Sequence, residues 1–447
     1  MLGFDFFSDI SLVAIPAWAF WTSLRLTPAT RRLIKACFAA SFVTAAWNVV
    51  FLAVLISTTG KFVKIQNYHP AGLTNGVLLA IFQPHLLGPI SNFVCNLLIV
   101  ITAQKGTPLP ANIFPLGDLH EAYKWCLEFE NLVDEVVLAD LPRRLREARV
   151  LGYMIREAPS IRGRRNVARD ILACSDNGAL SRLADFYINN LFLAFRTAKA
   201  FSTSLFHFSS IPPLDSRKEI QRWLLEESAR GRPLTKAKAL FRDDFCCAIT
   251  GRYDQESVDT IPYVWAEFLE KHANRPPCAT RVAHILPQFT NVTTPGFTNE
   301  YAQNYNTMWS LIEDFVSTLK SEDLKALRNV DKLDNVILLE ENKCNLFNEL
   351  KIWFQEETGS DGKVIPHQYR MFATNQFTQL MDVHPVVTFT SPDPENFPLP
   401  NPRYLKIHAA FARIAFYSGV GKHISDIFTG VERQLAFGSD SSSNKSI

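Results

Sequence analysis

The sequence predicts a mainly α-helical protein with a small α+β module and N-terminal transmembrane helices. Three observations predict it. Of 46 basic and 44 acidic side chains, only nine fall in residues 1–110. Residues 118–200 and 216–230 carry apolar side chains at helical spacing. Between Phe245 and Phe354 that spacing gives way to turns and short apolar runs. At 447 residues, 47% apolar with a net charge of +2, the chain is neither collagen-like, coiled-coil nor wholly disordered. Its length corresponds to roughly three domains, with ample core.

The front end, 1–105, predicts a membrane region with two to three transmembrane helices. Ala36–Gly60 and Ile65–Gln104 carry no charge over 25 and 40 residues, and a helical span needs about 20 predominantly apolar residues. Phe6–Leu24 is a shorter third span that contains Pro16. A cleaved signal peptide fits poorly, because Met1–Ile10 has no basic residue and contains Asp5 and Asp9. Arg25, Arg31, Arg32 and Lys35 in the first connection outnumber Lys61 and Lys64 in the second. The positive-inside tendency then gives an integral, multi-pass protein in the lipid bilayer, with its large C-terminal region in the cytosol. The eight scattered cysteines contain no CxxC pair and suit a reducing compartment.

The remainder divides into a Pro-containing linker at 106–117 and a helical domain at 118–234. The α+β module follows at 235–360, then a C-terminal extension at 361–432 and a disordered tail at 433–447. The extension holds six prolines between Pro385 and Pro402, which predict an extended loop, then a helix over Tyr404–Phe416. Nine arginines between Arg143 and Arg169 read either as a phosphate-contacting stripe or as a solvated helical face. Nucleic acid is therefore a weakly supported partner. Gly-rich phosphate loops are absent, which argues against a nucleotide cofactor.

Three segments carry the chemistry. They are Cys247-Ala248-Ile249-Thr250-Gly251, then Ala283-His284-Ile285-Leu286-Pro287, then Asn335-Val336-Ile337-Leu338-Leu339 with Cys344-Asn345-Leu346-Phe347-Asn348. In order and content they resemble the HNH nuclease family, in its fungal branch with CxxTG, AHIxP and NVxxL motifs. The resemblance covers about 145–430, and residues 1–110 more loosely resemble part of a fungal multi-pass membrane protein. It implies a ββα-metal unit in which a hairpin and a helix hold one divalent cation, Zn or Mg. It also implies hydrolysis of phosphodiesters, with His284 as the base that activates water and Asn335 orienting its ring. The metal ligands would be the side chains nine and thirteen residues after Asn335, which here are Cys344 and Asn348.

Cys344 departs from the histidine expected at that position. Mg²⁺ takes oxygen ligands and tolerates thiolate poorly, whereas Zn²⁺ accepts it. The site is thus either tuned to Zn or degenerate. Cys246, Cys247 and Cys278 form a weaker candidate metal set, while His367, His408, Trp309 and Trp353 read as structural. Two functions follow: a metal-dependent endonuclease or its degenerate descendant, and a non-catalytic membrane-anchored interaction protein that keeps the fold as a scaffold.

Overall fold

Helix caps and apolar faces explain most of the architecture. The computed structural model describes residues 106–132, 140–204, 211–232, 234–271, 274–287, 299–317, 332–374 and 386–429. Residues 105–129 and 146–447 group into one unit, which is the one described below. The other, 1–104 with 130–145, contributes only the ends of two helices to the described residues.

Helix α1 spans Asp118–Asn131 and α2 spans Leu141–Glu157. Helix α3, Ile161–Leu172, begins at Ser160, whose Oγ accepts the Gly163 N–H at 2.9 Å. Helix α4, Asn177–Tyr187, begins at Asp176, whose carboxylate accepts the Ala179 N–H at 2.7 Å. Each cap satisfies a backbone donor that the first helical turn leaves over. A π-helical segment, Ile188–Leu193, runs into α5, Ala194–Ser204. Then come α6 (Arg217–Ala229), α7 (Thr235–Arg242), α8 (Gln255–Thr260) and α9 (Pro262–Lys271). At the start of α6, Ser216 Oγ accepts from the Glu219 N–H, and the Glu219 carboxylate reaches back to the Asp215 N–H. Ser216 is thus the N-cap, and the Glu219 return bond falls one residue before it.

Strand β1, Thr280–His284, precedes α10, Asn299–Val316. Strand β2, Val336–Glu340, pairs antiparallel with β1 and leads directly into α11, Glu341–Asn348. The sequence then forms a second sheet of β3 (Ile352–Thr358), β4 (Val364–Ala373) and β5 (Val386–Thr388), in that spatial order. Helix α12, Pro402–Ser418, ends at Gly419, whose φ of 80° suits a residue without a Cβ.

The β1–β2 pair divides two apolar clusters. Ala283, Ile337 and Leu339 join one with Phe195, Trp309 and Phe347. Val282, Val336 and Leu338 join the other with Leu240, Phe241 and Phe245. Burial on both faces explains why Val336–Leu339 is a continuous apolar run rather than an alternating one. Helix α3 meets the end of α10 at Gly163, where a Cβ would lie 1.9 Å from the Phe315 carbonyl oxygen. Ser160 Oγ donates to the Val316 carbonyl at 2.8 Å and Asn166 to that of Asp314 at 2.9 Å, so the start of α3 caps the end of α10. Buried Arg242 ties α7 to β2, donating to the carbonyls of Leu333 at 2.7 Å and Val336 at 3.0 Å. Its fork also grips Asp243 at 2.7 and 2.8 Å.

The expected fold class needs correction. No helix among the described residues is long and apolar enough to cross a membrane. The longest, α10, has 18 residues and carries Asn, Gln, Glu and Asp side chains along its length, short of the span hydrocarbon requires. The transmembrane helices expected over 1–105 lie outside the described residues, as does the tail expected at 433–447. In place of one α+β module, the helix-rich chain has two separate antiparallel sheets, the second of which crosses the expected boundary at 360. Prolines at 385–402 masked β5, a three-residue edge strand inside the expected loop. The Arg143–Arg169 stripe is also divided: its arginines sit on α2 and α3, and Arg149 is buried.

Candidate functional site

The site grows from the hairpin and the helix behind it. His284 closes β1 opposite Val336 and is 2% exposed. One helical turn of α11 brings Cys344, Phe347 and Asn348 inward together, the spacing that places side chains on one helix face. Asn348 Nδ2 lies 3.6 Å from Cys344 Sγ.

Two residues from distant helices complete the cluster. The spacing Ile188, Phe192, Phe195 continues to Lys199, which puts a lysine on the buried face of α5. Lys199 is fully buried, with Nζ 4.1 Å from the centre of the Phe347 ring and 5.7 Å from that of Phe195. From α12, fully buried His408 stacks on Phe347 with ring centres 3.8 Å apart, and its Nε2 lies 3.1 Å from the Phe347 carbonyl oxygen.

Burial sets the protonation states. It pushes His284 down to about 3, assisted by Lys199. It pushes the Cys344 thiol up to about 11, against the opposing pull of Lys199 and Arg281. Burial, then Lys199, holds His408 well below the usual histidine range. Lys199 itself is held well below the lysine range by burial, with Cys344 opposing. At neutral pH the site therefore contains two uncharged imidazoles and a protonated thiol. A general base works best with a pKa near the operating pH, and His284 is far from it. A thiol is a metal ligand or nucleophile only as thiolate.

His284 and Cys344 thus lie beside Lys199, with Asn348 against the Cys344 sulfur, but Asn335 does something else. It ends a 3₁₀ turn, Leu333–Asn335, just before β2. Its side-chain carbonyl accepts the Leu286 N–H at 3.0 Å while its Nδ2 donates to the Leu286 carbonyl at 3.0 Å. Its own backbone carbonyl accepts the Ile285 N–H at 2.8 Å. Asn335 clasps the chain that leaves β1, and these bonds hold the backbone after His284 rather than its ring.

Neither a protein family, a curated protein nor a solved structure matches this chain. The chemistry of the site is therefore read from its own residues. Among the described residues no group of three or more His, Cys, Asp or Glu side chains is arranged to hold a metal ion. One thiol and a buried amide beside a fully buried lysine do not make a divalent-cation site. The residues do not fit the Zn or Mg ion that the motif order implies.

The cysteines of the first motif also have a structural explanation. Gly251, at φ 66°, donates its N–H to the Cys247 carbonyl at 2.8 Å, and the Cys247 N–H donates to Arg252 at 2.9 Å. Ala248 then donates to the Leu338 carbonyl at 3.0 Å, which docks this turn on β2. Burial raises the thiols of Cys246 and Cys278, the latter to about 12.

Sequence reasoning missed Lys199 altogether and set His408 aside as structural. The signal for Lys199 was its place in the helical period of an apolar run. Nothing local signals that β1, α11 and α12 converge on it.

Proposed function

We propose that this chain is a non-catalytic interaction protein built on an HNH-like hairpin and helix, whose metal position is filled by the Lys199 side chain. One observation carries the reading: Lys199 is fully buried against Phe347 and is the charged neighbour felt by His284, Cys344 and His408 alike. The HNH-like frame is supported by the order of motifs and by a strand pair that leads directly into the helix bearing Cys344. Against catalysis stand a buried, neutral His284 and a protonated thiol where a ligand is required.

The purified full chain, incubated with supercoiled plasmid or single-stranded RNA and Mg²⁺, Mn²⁺ or Zn²⁺, tests this. The expected result is no cleavage above that of the metal alone. Metal-dependent cleavage that disappears in His284→Ala supports the endonuclease reading instead.

A further inference from the structure

We draw no further inference here: the strongest candidate, the surface patch of Ile113 and Leu116 on the segment before α1, holds two aliphatic side chains 71% and 87% exposed, and nothing among the described residues shows what covers it.

Discussion

Lys199 Nζ lies 4.1 Å from the centre of the Phe347 ring, on the turn of α11 that also carries Cys344 and Asn348. A lysine with its whole stem buried there joins four parts of the chain: α5, β1, α11 and α12. His284 and Cys344, two of the residues that the motif order marks for chemistry, therefore pack beside an amine. This relationship makes the region a keystone of the larger apolar cluster, and its consequences are measurable.

The first is acid sensitivity. His284 titrates at about 3 when folded, against 6.5 as its ordinary value. Between those values the unfolded chain binds the extra proton, so stability present above pH 6.5 is lost as pH falls toward 3. One such group contributes a slope of at most ~1.4 kcal/mol per pH unit. Chemical denaturation of His284→Gln across that window should show a flatter pH dependence than the parent chain. An unchanged slope contradicts the burial of this imidazole.

Asn335 is expected to matter through the backbone. Asn335→Ala removes both bonds to Leu286 and leaves a buried N–H and C=O without partners, a loss of roughly 2–4 kcal/mol. Asn335→Asp keeps the acceptor for the Leu286 N–H and loses the donor, so urea unfolding should place it between Ala and the parent. A loss under about 0.5 kcal/mol in the Ala variant contradicts the clasp.

Arg242 anchors the other side of β2. Its fork holds Asp243 and the carbonyls of Leu333 and Val336 in a buried setting. Arg242→Met leaves the Asp243 charge without its partner, and breaking a buried pair from one side costs about 3–5 kcal/mol. Adding Asp243→Asn should recover part of that loss, because the two residues act as one unit. Strict additivity in the double variant contradicts the pairing.

Local chemistry was legible in the sequence where one short segment decides it. Ser216 caps the start of α6, and the helix expected over 216–230 forms over Arg217–Ala229. Tyr404–Phe416 falls inside α12. The run Val336–Leu339 reads as a buried strand because apolar neighbours cover both of its faces. The candidate site was legible only as a set of names. Burial and then Lys199 set the protonation of His284 and Cys344, and Lys199 lies 85 positions before His284. A lone lysine in an apolar run gives no sign of the partners that other elements bring to it. The role of Asn335 was hidden for the same reason, since its partner is the backbone of Leu286, reached only once β1 and β2 pair.

The most direct measurement is a titration of the full chain with Co²⁺, followed by absorption in the near-ultraviolet and visible. A metal at Cys344 must form a thiolate–cobalt bond, and such bonds absorb strongly in that range. If Lys199 takes the cation's place as proposed, no thiolate–cobalt band forms. A stoichiometric band that is lost in Cys344→Ala and kept in Cys246→Ala and Cys278→Ala would contradict the central claim.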